Sequence, residues 1–180
     1  MKPLPKFIAV VHVTTDLQAA RQVEVALTNG AGGVFLIDHR RPSRYLLRTY
    51  RFVRTHFANE WIGLNFLDLD PLKAMRTVPE CADGLWLDSG DGVGIHDLNP
   101  ARLVRLFAGA AFKYQKHETH PATAARNAAA LGFVSTTSGA GTGEPPAVDK
   151  IIGMSLATSG QLAVASGMTP DNIAQYAPLL

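Results

Sequence analysis

Seven polar positions in this chain follow short apolar runs at roughly regular intervals, and they are the residues with chemistry to offer. In order they are His12, Asp38, Asn65, Asp88, Lys113, Thr136 with Thr137, and Ser166. An imidazole and a carboxamide can move a proton and orient a hydroxyl or carbonyl, so His12 and Asn65 are candidates for those roles. Two carboxylates in one pocket can split their pKa values and divide acid and base work, which suits Asp38 and Asp88. Hydrogen bonds from neighbouring loop N–H groups would serve the same two side chains equally well. Lys113 can pair with a carboxylate, hold a substrate anion or, if desolvated, act as a Schiff-base amine. Downstream lie two glycine-bearing stretches, Thr137, Ser138, Gly139, Gly141, Thr142 and Gly143 in one, Ser166 and Gly167 in the other. Backbone of that kind approaches a ligand closely and can aim N–H groups at an anion such as phosphate; tight turns alone would also explain the glycines.

The elements that must position these residues read as repeated strand-helix units. Phe7–Val13 is β-branched and almost continuously apolar, the pattern of a strand buried on both faces in a parallel sheet. Thr15 or Asp16 caps a helical run ended by Asn29-Gly30. Gly33–Asp38, Trp61–Phe66, Gly84–Asp88, Phe107–Lys113, Phe133–Thr136 and Gln161–Ser166 repeat the strand pattern. Helices are expected after Pro42 to about Ala58, from Asp70-Pro71 through Val78, over Pro100–Arg105, Ala122–Leu131 and Pro146–Ala157, and from Thr169-Pro170-Asp171 onward. Ser89–Pro100 reads as a glycine-rich loop.

Units of about 20–30 residues with right-handed crossovers point to a parallel α/β fold. A TIM-type (β/α) barrel is preferred over an open sheet, because polar residues recur at every strand end and a closed barrel gathers those ends at one mouth. The expectation is one domain over residues 1–180 with the eighth strand lacking: either the sequence is shortened before it, or a partner subunit of a homo-oligomer covers the open edge.

With 180 residues and 47% hydrophobic composition, the chain can bury one substantial core. Net charge is only +2, and the Arg-rich run His39–His56 reads as the solvated face of a helix, so no nucleic-acid partner is expected. One cysteine, Cys81, leaves no disulfide framework. No run reaches the ~20 apolar residues of a spanning helix, and a cytoplasmic location is expected. His117 and His120 have metal-like spacing without a third ligand in the pattern, so neither a metal nor a cofactor is expected.

Four stretches together carry a resemblance: Ile62–Met75 (IGLNFLDLDPLKAM), Phe107–Gln115 (FAGAAFKYQ), Ser135–Pro146 (STTSGAGTGEPP) and Ala165–Ile173 (ASGMTPDNI). In order and spacing they resemble the BtpA/SgcQ family of predicted TIM-barrel proteins, the TG-E-P-P and SG-x-TP-[DE]-N elements being the more specific. The resemblance implies a homo-oligomeric barrel. Some members are linked to photosystem I biogenesis, and others carry sugar- or phosphoribosyl-metabolism labels, phosphoribosylanthranilate isomerase among them. That isomerase would place a catalytic Cys where this chain has His12. Two functions are therefore expected as alternatives: acid/base isomerase or lyase chemistry on a small phosphorylated or sugar-like metabolite, and a non-catalytic assembly role that keeps the barrel as a scaffold.

Overall fold

The computed structural model describes residues 2–98, 104–113, 115 and 119–180. The chain forms two compact units, Met1–Trp86 with Asp97–Arg105 and Leu87–His96 with Leu106–Leu180. In each, parallel strands alternate with helices and strand order follows chain order.

In the first unit β1 (Ile8–His12), β2 (Gly33–Ile37), β3 (Trp61–Asn65) and β4 (Gly84–Leu87) pair in parallel register, with Gly33 opposite Trp61 and Gly63 opposite Gly84. Those glycines have a packing reason. A Cβ on Gly63 would stand 2.3 Å from the Phe35 ring, and one on Gly84 would stand 2.4 Å from the Trp61 ring. Only hydrogen at these positions leaves room for Phe35, Trp61 and Trp86, whose rings meet edge to face at 5.2 and 5.7 Å. Thus the motifs GVF, WIG and GLW build one aromatic cluster across three strands.

Helix α1 (Asp16–Thr28) starts in a reciprocal cap: Thr15 accepts from Gln18 N, while Gln18 Oε1 accepts from Thr14 N. The same Gln18 amide donates to His12 O, fixing the backbone where β1 ends. Asp16 accepts from Thr49 Oγ1 at 2.6 Å and from Arg48 at 2.9 Å, tying α1 to α2 (Ser43–His56). Helix α2 buries Leu46, Thr49, Tyr50 and Val53 and exposes Arg44, Arg48 and Arg51, so this part of the Arg-rich run is a solvated face as read. Its first turn receives the Asp68 carboxylate at Ser43 N. Helix α3 (Pro71–Thr77) has the expected Asp70 cap, which accepts from Lys73 N. Before β3 and β4, Asp83 joins three donors: Arg54 at 2.7 Å, Ile62 N at 2.9 Å and Lys2 at 3.1 Å.

In the second unit β5 (Arg105–Gly109), β6 (Val134–Thr137) and β7 (Leu162–Val164) pair in parallel. Helix α4 (Pro121–Ala130) packs on α5 (Val148–Thr158) over a core of Ala125, Ile151, Met154, Leu162 and Tyr176. Buried Tyr176, on α6 (Ile173–Tyr176), donates its hydroxyl to Pro146 O.

Three expectations need correction here. Strand five was expected over Phe107–Lys113 but spans Arg105–Gly109, so Lys113 lies past its end. A Cβ on Gly109 would fall 2.0 Å from Asp88 O; the chain then turns at Ala111 (φ +51°), held by the Gln115 amide on Phe112 N and Gly109 O. The helix expected over Pro100–Arg105 meets a strand at Arg105, its preceding residues 100–103 lying outside the described ones. The last helix begins at Ile173, because the Asn172 side chain closes a turn on Thr169 N and Gly167 O instead.

Candidate functional site

The first unit places His12, Asp38 and Asn65 at or just past the ends of β1, β2 and β3. Asn65 is buried (1% exposed) and ends its strand. Asp38, 5% exposed, has its acceptors taken: Oδ1 accepts from Arg40 N and Arg41 N, and Oδ2 from Arg41 Nε at 2.8 Å. Of the two roles open to Asp38, the one on loop N–H groups is the one it fills in this conformation. His12 is exposed and meets His39, a residue the reading from sequence passed over, with 3.0 Å between His12 Nδ1 and His39 Nε2. Burial and the neighbouring imidazole both hold the His12 pKa below its ordinary value.

The second unit gathers the remaining candidates on the loops after its strands. Asp88 directly follows β4 and is half-buried. Lys113 is anchored by its own backbone, whose N–H donates to Ser138 Oγ at 2.9 Å, and its ammonium lies 3.5 Å from Ser166 Oγ. Ser166 Oγ also accepts from Gly143 N at 3.0 Å. One hydroxyl therefore links the loops after β5, β6 and β7. Ser166 has φ +92°, a conformation rare for any residue with a side chain and worth ~1–3 kcal/mol of strain.

The other loop residues divide by whether they face outward. Thr137 and Ser138 are fully buried, Thr137 Oγ1 donating to Ala111 O and Ser138 Oγ to Gly139 O. Gly139 and Gly167 serve close packing, since a Cβ on either would stand 2.3 Å from the Glu144 backbone. Gly141 packs against the Glu144 carboxylate, whereas Gly143 (φ +84°) faces open space. Among the described residues, the N–H groups of Ala140, Gly141, Thr142, Gly167 and Met168 find no partner within the protein. These donors lie on the loops after β6 and β7, which Ser166 Oγ links to Lys113. The four-residue helix α6, starting at Ile173, does not supply the helix N-terminus expected at Thr169.

One contributor escaped the sequence because it comes from the far side of a loop. Lys150, on the first turn of α5, donates to Ala111 O and Ser138 O at 2.8 Å each, clamping the turn that carries Lys113 to the loop after β6. Burial pushes its pKa below the ordinary lysine range. Of the histidine pair with metal-like spacing, His120 sits at the N-cap of α4, and His117 lies outside the described residues. Among the described residues no three His, Cys, Asp or Glu side chains converge as a metal site would require, and no helix is long and apolar enough to cross a membrane.

No protein-family model and no curated protein matches the chain. Among solved structures it is similar to a mandelate racemase/muconate lactonizing protein from Herpetosiphon aurantiacus, with a TM-score of 0.59 and 11% identity over 89% of this chain. The chain spans 46% of that protein's length. At such identity the likeness concerns the fold alone: parallel strands alternating with helices, consistent with part of a TIM-type barrel.

Proposed function

We propose that the chain is a TIM-type barrel enzyme of the BtpA/SgcQ type that acts by acid/base chemistry on a small phosphorylated or sugar-like metabolite. The observation that carries this reading is the Lys113 ammonium at 3.5 Å from Ser166 Oγ, on loops that also carry N–H groups with no partner among the described residues. A cation on a backbone anchored by Ser138, a hydroxyl and several amides form the donor set a phosphoryl group takes up. The phosphate is held by Lys113, Ser166 and the Ala140–Thr142 amides, with Gly143 N–H holding Ser166 in place. Thr137, Ser138, Gly139 and Gly167 fix the loops that present them. Within the same unit, Asp88 accepts or returns a proton.

Isothermal titration of the whole chain with inorganic phosphate and ribose 5-phosphate tests the proposal. Saturable binding that falls at least ~10-fold in Lys113→Ala and in Ser166→Ala is expected, the ~1.4 kcal/mol equivalent of one charge-assisted contact. Heat of dilution alone for both ligands, or undiminished binding in both variants, overturns it.

The scaffold alternative draws on a separate observation. Strand β1 pairs with β2 alone among the described residues, while Phe7 and Val10 beside its open edge are 60% and 41% exposed. An apolar strand edge of this kind suits association with another copy or partner. Light scattering that finds a monomer unaffected by Phe7→Lys removes that support.

A further inference from the structure

The histidines at the ends of β1 and β2 meet in a way that calls for its own account. His12 Nδ1 and His39 Nε2 are 3.0 Å apart, the ring planes differ by 19° and the centroids are 5.0 Å apart. The rings are stacked with an offset that brings one nitrogen of each together. Their 3.0 Å N···N separation is that of an N–H···N hydrogen bond, in which one neutral imidazole donates and the other accepts.

The bond leaves one nitrogen free on each ring. His12 Nε2 and His39 Nδ1 have no partner among the described residues, and both side chains are exposed. Nearby charged groups are occupied elsewhere: Asp38 with Arg41, and Asp16 with Arg48 and Thr49. The Gln18 side chain holds the His12 carbonyl and leaves the ring alone. Among the described residues no carboxylate is hydrogen-bonded to either ring.

We infer that His12 and His39 form a two-imidazole proton relay, able to carry one proton between a ligand bearing an acidic C–H or O–H group and solvent. Starting with a proton on Nε2 of each ring, a proton arrives at His39 Nδ1. His39 Nε2–H passes its proton to His12 Nδ1, and His12 releases the proton on Nε2. Both rings end neutral with their tautomers exchanged, one proton having entered and one having left. The reverse sequence resets the pair. The relay depends only on the two rings.

The test is a pH titration of the whole chain followed by long-range proton-nitrogen NMR of the histidine rings, between about pH 5 and 8 where imidazoles charge. In the unaltered chain a scalar coupling should be seen across the His12 Nδ1···His39 Nε2 contact, with both tautomers populated on His12. In His39→Ala that coupling should vanish and the His12 midpoint should rise, since one cause of its lowered pKa is removed. In His39→Asn the amide can still donate to His12 Nδ1, so His12 should stay in the Nε2–H form without tautomer exchange. No coupling across the contact and a single fixed His12 tautomer in the unaltered chain overturn the relay. So does a His12 midpoint and tautomer mixture left unchanged by both substitutions.

Discussion

Replacing Gly167 by Ala puts the loop packing of the second unit to a quantitative test. Gly167 has φ +73°, and an added Cβ would stand 2.3 Å from both Glu144 C and Pro145 N, backbone atoms that cannot swing aside. A left-handed Ala costs ~1–2 kcal/mol and forced overpacking a further ~1–3 kcal/mol, so the loss should be ~2–5 kcal/mol. Two neighbours separate these contributions. Gly143 also has positive φ (+84°) but nothing within 4 Å, so Gly143→Ala should cost only the conformational ~1–2 kcal/mol. Gly153 lies inside α5 with open space around it, so Gly153→Ala should stabilise by ~0.5–1 kcal/mol. Urea denaturation reads all three. With a slope of ~2 kcal/mol per molar, Gly167→Ala should lower the midpoint by ~1–2.5 M, Gly143→Ala by ~0.5–1 M, and Gly153→Ala should raise it slightly. A Gly167→Ala midpoint no lower than that of Gly143→Ala would refute the argument that the loop after β7 rests on the Glu144-Pro145 backbone.

Other substitutions probe separate parts of the account. Asp83→Asn should cost ~3 kcal/mol in thermal or urea unfolding, because it strips the charge from a carboxylate shared by Arg54, Lys2 and Ile62 N and leaves the half-buried guanidinium only uncharged acceptors such as Glu60 O and Cys81 O. Lys150→Met should cost ~2 kcal/mol and raise amide exchange around Ala111 and Ser138, whose carbonyls lose a charged donor. Stability should also fall as pH drops through 6.5. With its folded pKa below that ordinary value, His12 binds fewer protons in the native chain than in the unfolded one. Urea midpoints measured across this range should slope less in His12→Gln, and an identical slope would count against the assignment.

Much of this architecture was legible because it depends on local chemistry. The Asp70-Pro71 start of α3 and the cap of α1 need only a few neighbouring residues; the first formed as read, and of the two caps open for α1 Thr15 is the one used. The strand at Ile8–His12 follows from an unbroken β-branched run. What escaped depends on contacts between segments distant in sequence. Strand β5 stops at Gly109 because the Asp88 carbonyl approaches there, and the turn at Ala111 relies on the Gln115 amide and on Lys150. No periodicity announces any of these. The glycines after β6 looked equivalent as sequence, yet Gly139 packs against Glu144 and Gly143 faces open space. His39 reads as one more residue of a basic run until the loop after β2 turns its ring onto His12. At Asp38, two roles were open from sequence, and the local backbone together with Arg41 occupies the carboxylate.

The central claim is that the loops after β5, β6 and β7 bind a phosphoryl group through Lys113, Ser166 and the unpartnered amides. Amide-resolved NMR during addition of inorganic phosphate reads it directly. The account predicts saturable shifts confined largely to Ala140–Gly143, Ser166, Gly167 and Met168, abolished in Lys113→Ala while the rest of the spectrum is preserved. Shifts absent from these amides, or spread evenly over the surface and indifferent to Lys113, would contradict it.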